Sequence, residues 1–188
     1  MRLFTAVDLP KNILMRLDRL LTALRPEALI KWSPLDNLHI TTKFIGEWPQ
    51  SRLEELTAAL DELPARDSFE VELRDLGWYP PERSPRVLWV GVHAGEQLQA
   101  LARDTEELLG KYGVAKDERP YSPHLTLARI TSPVPLRGLR EKVAELQPAA
   151  LGRFTVSSFQ LYRSDPGSTS SIYRKLHEIR FETAMAAP

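Results

Sequence analysis

The sequence predicts an α+β fold of two similar lobes, in which two antiparallel sheets backed by helices are related by a pseudo-twofold axis. Two observations lead to this prediction. The order strand, helix, strand, helix, strand occurs twice along the 188 residues. The second copy also follows the first at a constant offset of 85 positions, which matches His39 with His124 and Phe69 with Phe154. Such a repeat indicates an internal duplication, and a site is expected in the cleft between the lobes.

Seven segments have the residue pattern of β-strands, either a short apolar run or an alternation of apolar and polar residues between turn-forming residues. The sequence FEVEL, which begins at Phe69, alternates and predicts a strand with one exposed face. The stretches GWYPPERSP and RSDPGSTSS are rich in proline, glycine and serine and predict loops. The predicted strands are residues 2–7, 38–45, 69–73, 86–92, 125–130, 153–162 and 172–181.

Four segments carry aliphatic residues at helical spacing. Pro10 and Pro135 suit the first turn of the helices that they open. Ser51 with Glu54 has the spacing of a capping box, and Gly110 is typical of a helix end. The predicted helices are residues 10–24, 51–63, 98–109 and 135–146.

Length and composition limit the classes of protein and of function. We expect residues 1–183 to form one bilobal domain of two repeats, and residues 184–188 to form a frayed tail. The 25 basic and 25 acidic residues balance, so no overall charge attracts nucleic acid or membrane, and a basic site must be local. The chain has no cysteine, which excludes disulfides, thiolate nucleophiles and cysteine-ligated zinc but leaves a zinc site of histidines and carboxylates open.

The sequence also carries no sign of secretion or of a membrane span. The opening residues MRLFTAVDLP become charged too soon for a signal peptide. No apolar run approaches the ~20 residues that a membrane helix needs. We therefore expect a monomeric protein located in the cytoplasm.

Two of the four histidines begin the same short motif, His-x-Thr, at matching positions of the two repeats. Residues two apart on a strand share a face, so His39 lies beside Thr41 and His124 lies beside Thr126. Histidine titrates near pH ~6.5, so one imidazole of a pair can donate a proton while the other accepts one. The threonine hydroxyls can donate hydrogen bonds to an anion between the rings. The pattern therefore favours in-line displacement at a phosphodiester.

A single histidine on a strand is more often structural than catalytic. A purely structural role, however, gives no reason for the same polar pair to recur inside two apolar strands. His93 and His177 have no threonine two positions on and no partner in the repeat, so we interpret both as ordinary histidines.

The sequences HITTKFIG and HLTLAR resemble the paired motifs of the 2H phosphoesterases, and most closely those of the RNA 2′,3′-cyclic phosphodiesterases, also called 2′-5′ RNA ligase-like proteins. RLFTAVDLP, KWSPLDNLHITTKFIG, RVLWVGV, YSPHLTLARI and the closing LYRS and IYRKL occur in the family's order, so the resemblance covers nearly the whole chain. The sequence departs from the family at Thr42, where a large aliphatic residue is usual, and its odd offset from His39 places it away from the cleft.

The resemblance implies a bilobal fold and hydrolysis of a 2′,3′-cyclic phosphate, on RNA or on a nucleotide, to a 2′-phosphomonoester without metal or cofactor. It implies that His39 is the proton donor and His124 the proton acceptor. It further implies that Thr41, Thr126 and Arg129 hold the phosphate.

Four side chains outside the His-x-Thr motifs have two possible roles each. Arg129 lies five positions after His124, on the wrong face of a regular strand, so it either binds phosphate where the strand is irregular or forms a structural ion pair. Phe44, its match in the first repeat, either contacts a base or packs, and packing is favoured because phenylalanine is usually buried. Trp78 and Tyr79 either stack on a base or cover the core, and the second role is favoured.

Three other functions remain possible from the sequence. The same site could join RNA ends in a 2′-5′ linkage, although water at ~55 M favours hydrolysis unless the ends are held together. The cleft could bind a nucleotide or an RNA end without catalysis. A histidine-based metal hydrolase is the least favoured, because neither motif has a His-x-x-x-His pair or a nearby carboxylate.

Overall fold

A computed structural model describes residues 1–81 and 83–181 of the chain, so the predicted tail at residues 184–188 lies outside the described residues. The strands are β1 (Arg2–Val7), β2 (Lys31–Trp32), β3 (Ile40–Glu47), β4 (Phe69–Tyr79), β5 (Val87–His93), β6 (His124–Arg129), β7 (Ala150–Val156), β8 (Ser158–Asp165) and β9 (Ile172–Arg180). The helices are α1 (Lys11–Leu24), α2 (Leu53–Asp61), α3 (Gly95–Gly110) and α4 (Arg137–Glu145).

The strands form two antiparallel sheets. The four-stranded sheet has the order β3-β1-β8-β9, and the five-stranded sheet has the order β2-β6-β5-β4-β7. Helices α2 and α3 contact the first sheet, while α1 contacts β7 of the second and lies beside α4. The prediction of an α+β fold with two helix-backed antiparallel sheets is therefore confirmed. No helix within the described ranges is long and apolar enough to cross a membrane.

The pairing registers of the two sheets support the proposed duplication. In the first sheet Arg2 pairs with Ser164, and in the second Val87 pairs with Tyr79. Val87 follows Arg2 by 85 positions, and Ser164 follows Tyr79 by 85 positions, so the two pairs correspond. The three pairs that follow along each ladder keep this offset. The duplication of residues 1–183 itself stays a prediction.

The prediction of one continuous strand over residues 153–162 is wrong. The segment is divided between β7 and β8, which belong to different sheets and are separated by the exposed Ser157. The alternation of apolar and polar residues shifts by one position at Ser157 and Ser158, as it also would at a β-bulge in one continuous strand. Periodicity alone therefore cannot locate the change of sheet.

Two smaller predictions also differ from the structure, and one short strand was not predicted. The predicted loop GWYPPERSP begins inside β4, because this strand continues to Tyr79 and pairs with β5. Ser51 forms no capping box, because a 3-10 turn (Gln50–Arg52) precedes α2 and no side chain caps the helix. Strand β2 has two residues, too few to give a periodic signal.

A buried lysine connects β3 to the long segment that leads into β6. Lys43 is 2% exposed, and its Nζ lies 3.0 Å from Glu106 Oε1, 3.1 Å from Asp117 Oδ1 and 2.9 Å from the carbonyl oxygen of Ala115. Asp117 also donates its backbone N–H to Glu106 at 2.7 Å. All three donors of the ammonium group are therefore used, as a buried charge requires.

We expect substitution of Lys43 by Met to lower the free energy of unfolding by about 1.5–3 kcal/mol, the usual contribution of hydrogen bonds to charged groups. Urea denaturation at pH 7 measures this loss. Lys142, which pairs with Glu145 along the surface of α4 at 3.6 Å, gives a control. Its substitution by Met should change the free energy of unfolding by less than about 1 kcal/mol. Equal effects of the two substitutions would contradict a special role for Lys43.

The same cluster predicts a dependence of stability on pH. The hydrogen bond from the Asp117 N–H, followed by that from Lys43, lowers the pKa of the Glu106 carboxyl. A carboxylate whose pKa is lower in the folded state stabilises the fold above its unfolded pKa of ~4.3 and loses this effect as pH falls through the folded value. Glu106→Gln should therefore be less stable than the wild type at pH 7 in urea denaturation. The difference should shrink in acid, and a difference independent of pH would contradict the role of ionised Glu106.

Candidate active site

The two His-x-Thr motifs begin the two matching strands. His39 directly precedes β3, and His124 is the first residue of β6. Strands β3 and β6 contact each other. Tyr121 donates its hydroxyl to the carbonyl oxygen of Thr41 at 2.8 Å, which ties the approach to one motif to the backbone of the other. The structure therefore brings the two motifs side by side.

Both imidazoles are held by the same local hydrogen bond. Nδ1 of His39 lies 2.6 Å from the carbonyl oxygen of Asn37, and Nδ1 of His124 lies 2.8 Å from that of Ser122. Because a carbonyl oxygen can only accept, each Nδ1 carries a hydrogen and each Nε2 is left to exchange a proton. Nε2 of His39 also lies 2.9 Å from Oγ1 of Thr41, so the predicted placement of His and Thr on one face is confirmed for this motif.

Each motif is followed by a β-bulge at the equivalent position. The pairing of β3 with β1 skips Thr42, and the pairing of β6 with β5 skips Leu127. In each strand the skipped residue and its successor, Lys43 or Ala128, are both buried, so the alternation of faces shifts by one position. Thr42 points away from the cleft as expected, and its Oγ1 lies 2.6 Å from that of Thr5.

The bulges return the residues that follow them to the face of the histidines. Arg129 pairs with Val87 and is exposed, on the same side of β6 as His124. Within residues 1–81 and 83–181, no carboxylate lies at ion-pair distance from Arg129. Phe44 is 60% exposed, so the favoured expectation that it packs in the core is wrong. Its exposure follows from the bulge, which a regular strand does not have.

His39 lies in an aromatic environment. The ring of Phe4 stacks on it at 4.8 Å, and the edge of Tyr173 approaches at 5.2 Å. Burial lowers the pKa of His39, while the carbonyl of Asn37 and the charge of Asp8 raise it and the charge of Arg129 lowers it further. The effect of Arg129 on the pKa of His39 links the charge of the second motif to the imidazole of the first.

Asp8 is itself fixed by two partners beside this ring. The Tyr162 hydroxyl donates to Asp8 Oδ1 at 2.5 Å, and Lys175 donates to Oδ2 at 2.6 Å. Burial, followed by the hydrogen bond to Asp8, raises the pKa of Tyr162, so this phenol stays protonated. The negative charge nearest to His39 is therefore already shared with a lysine.

Sequence patterns did not identify Phe4, Asp8, Tyr162 or Tyr173 as neighbours of His39. The one available signal was that Phe4 and Trp89 match at the offset of 85, which indicates an aromatic residue on the central strand of each sheet. The remaining three come from distant parts of the chain, and only the sheet order places them here.

The four other side chains singled out from the sequence lie outside the two His-x-Thr motifs. Trp78 faces the helices, where it packs against the core and lies under Arg140, so the prediction that it covers the core is confirmed. Tyr79 lies on the opposite face and is 48% exposed, so it does not cover the core. His177 lies 2.7 Å from Asp61. His93 is exposed at the end of β5, and its Nε2 lies 3.1 Å from the Cβ position of Gly91, which pairs with His124. In the described part of the chain, no group of three or more metal-ligating side chains is assembled.

Comparison with known proteins gives the family. The model of the 2′-5′ RNA ligase superfamily matches residues 13–168. The RNA 2′,3′-cyclic phosphodiesterase of Methanothermobacter thermautotrophicus is 33% identical over 181 residues, which cover 95% of this chain and 98% of that protein. The protein of the same name from Thermus thermophilus is 32% identical over 185 residues, covering 95% and 89%.

Solved structures share the fold over nearly the whole chain. TT0787 of Thermus thermophilus superposes with a TM-score of 0.81 at 30% identity and covers 98% of this chain and 100% of its own. E. coli LigT, crystallised with 3′-AMP, superposes with a TM-score of 0.76 at 25% identity and covers 96% and 97%. The chain therefore belongs to the 2′-5′ RNA ligase superfamily of 2H phosphoesterases, in the group whose curated members are named RNA 2′,3′-cyclic phosphodiesterase.

Proposed function

We propose that this protein hydrolyses 2′,3′-cyclic phosphate ends of RNA or of nucleotides to 2′-phosphomonoesters, by acid–base catalysis with two histidines and without a metal. One observation carries the proposal. His39 and His124 are held identically through Nδ1, so each presents Nε2 for proton transfer. A matched pair of this kind suits a displacement that needs a base on one side of phosphorus and an acid on the other.

The proposed reaction transfers two protons. Nε2 of His124 removes a proton from water as the water oxygen bonds to phosphorus. The bond from phosphorus to O3′ breaks, and the electron pair leaves with O3′. Nε2 of His39 gives its proton to O3′, which leaves a free 3′-hydroxyl and a phosphate on O2′.

Three groups are proposed to hold the phosphate. The hydroxyls of Thr41 and Thr126 donate to its non-bridging oxygens, which carry the charge that develops during displacement. Arg129, exposed on the face of His124, adds a fixed positive charge and planar donors. Phe44 is proposed to contact the base, because its exposed ring follows His39 on the same face.

The donor role of His39 depends on the bound substrate. In the free protein burial lowers the pKa of His39 and so favours the neutral imidazole. A phosphodiester brings negative charge next to Nε2 and favours the protonated form. Substrate binding is therefore proposed to charge the acid that the reaction needs.

Relatives support this choice of substrate. Several proteins that match almost the whole chain are named RNA 2′,3′-cyclic phosphodiesterase. E. coli LigT has been crystallised with 3′-AMP and with phosphate, so a protein of this fold forms complexes with a nucleotide and with an inorganic anion. The proposal keeps the monomeric state and cytoplasmic location expected from the sequence.

Joining of RNA ends is the second candidate, because the matching family is described as a 2′-5′ RNA ligase superfamily. The same residues would act in reverse, with a 5′-hydroxyl in place of water. Incubation of two RNA fragments that carry a 2′,3′-cyclic phosphate and a 5′-hydroxyl separates the two functions. Hydrolysed ends are expected to exceed joined products by a wide margin, because water is the more concentrated nucleophile.

We expect His39→Ala and His124→Ala each to lower kcat for adenosine 2′,3′-cyclic phosphate by about 100-fold or more, the typical contribution of general acid–base catalysis. Product release measured by chromatography, with and without EDTA, tests this. Activity should be the same in both conditions. His177→Ala, which changes a histidine of β9 that pairs with Asp61 of α2, is the matched control and should keep wild-type kcat. Tight binding of product without turnover by the wild type would favour a binding module instead, and loss of activity with EDTA would favour a metal hydrolase.

The charges around His39 predict opposite shifts of its pKa. Arg129→Gln removes a positive charge that lowers the pKa of His39, so the pKa should rise. Asp8→Asn removes a charge that raises it, so the pKa should fall. NMR titration of the imidazole Cε1 proton measures both shifts in the free protein, with His39→Ala for assignment. Shifts in the same direction, or none, would show that Arg129 and Asp8 do not act on His39 through their charges.

A further inference from the structure

The five-stranded sheet leaves the face that carries His124 open to solvent. Directly opposed residues of antiparallel strands share a face. His124 is paired with Gly91, and Thr126 is paired with Trp89. Trp89, at about 5 Å from Thr126 by the usual strand spacing, is therefore the first large side chain beside the second motif.

The indole of Trp89 lies across the backbone of the next strand. Gly77 pairs with Trp89, and a Cβ atom on Gly77 would overlap three atoms of the indole six-membered ring. The ring therefore rests on the glycine, and one of its faces packs on β4. Trp89 is only half-buried, so the other face is accessible. Gly91, beside His124, has no side chain, and its Cβ position would lie 3.1 Å from Nε2 of His93 and 3.6 Å from Cζ3 of Trp89, so the imidazole of His93 borders this ring.

The equivalent place in the four-stranded sheet is filled. Phe4 and Tyr162 occupy the positions that match Trp89 and Gly77 at the offset of 85. Their rings stack at 5.4 Å, and Tyr173 covers Phe4 from the edge at 4.9 Å, which leaves Phe4 3% exposed. An aromatic residue therefore occupies this position in both sheets, but its ring is accessible only in the five-stranded sheet.

Positive charge lies on the same open face near β6. Lys31 pairs with Arg129, and both are exposed. Further from β6, Arg74 lies 3.8 Å from Glu72, and Arg153 lies 3.3 Å from the same carboxylate. The face is therefore positive next to the motif and balanced beyond it. This distribution of charge suits a short oligonucleotide better than a long nucleic acid.

We propose that the accessible indole of Trp89 is a stacking subsite for the base of the nucleotide that precedes the cyclic phosphate end, with Lys31 facing the phosphate that joins the two nucleotides and Arg129 kept for the cyclic phosphate. The subsite rests on the proposed function, since it extends the same cleft from the terminal nucleotide to its neighbour. It identifies the substrate class as RNA of at least two nucleotides. Aromatic rings accept any base by stacking, so little base preference is expected at this position.

The test compares two substrates that differ by one nucleotide. These are adenosine 2′,3′-cyclic phosphate and the dinucleotide ApA ending in a 2′,3′-cyclic phosphate. The readout is the ratio of the two kcat/KM values. The wild type should favour the dinucleotide by roughly tenfold, within the range that base stacking on an aromatic side chain provides.

Variants of the platform should remove this preference. Trp89→Leu keeps an apolar cover on Gly77 but removes the aromatic face, and the ratio should fall to near one. Gly77→Ser forces the indole off the strand and should lower the ratio in the same way. Trp78→Leu is the matched control, because Trp78 neighbours Gly77 but faces the helices, and it should keep the wild-type ratio.

Fluorescence gives a reading without turnover. Titration with ApA carrying a 2′-phosphate should quench tryptophan emission of the wild type and of Trp78→Leu but not of Trp89→Phe. A wild-type ratio near one, an unchanged ratio in folded Trp89→Leu, or equal quenching in Trp89→Phe would overturn the subsite while the proposed function stands. Failure of the wild type to hydrolyse either substrate would instead overturn the proposed function.

Discussion

One extra residue in each of two strands determines what the cleft contains. Without the bulges at Thr42 and Leu127, Arg129 and Phe44 would point toward the helices, and Lys43 would point into the cleft. With the bulges, the guanidinium group of Arg129 lies on the face of the histidines, where it can contact a phosphate. The ammonium group of Lys43 turns inward, where it holds the segment that leads to the second motif. A local irregularity of the backbone thus places the charge of Arg129 on the open face and the charge of Lys43 on the buried face.

The electrostatic environment of His39 depends on its aromatic and charged neighbours. The stacked ring of Phe4 and the edge of Tyr173 remove His39 from water, which costs the charged imidazole its hydration. Asp8 offsets part of this cost but already shares its charge with Lys175. A nearby anion can therefore change the protonation of this imidazole, as the proposed role of His39 as acid requires.

The sequence was sufficient for the fold class and for the two motifs, because both depend on local patterns that repeat. The strands at Arg2–Val7 and His39 onward were visible as apolar runs, and the offset of 85 joined the halves. The side of the sheet on which Arg129 lies was not predictable, since threonine and leucine at the bulges are also ordinary residues of a regular strand. Nor was the change of sheet at Ser157, because periodicity reports faces and not partners. The residues around His39 are brought together only by strand order.

The side chains that differ between the two repeats give the two sides of the cleft different properties. A perfect duplicate would give two identical histidines and no reason for either to be the acid. In this chain the first imidazole is enclosed by aromatic rings, whereas the second is exposed, with a glycine beside it and the open indole of Trp89 beyond. Phe44 in the first repeat corresponds to Arg129 in the second. The position after the bulge therefore carries a positive charge only in the second repeat. The backbone symmetry therefore aligns the two imidazoles, and the side chains that break it give each imidazole its own environment, which the proposed division into acid and base requires.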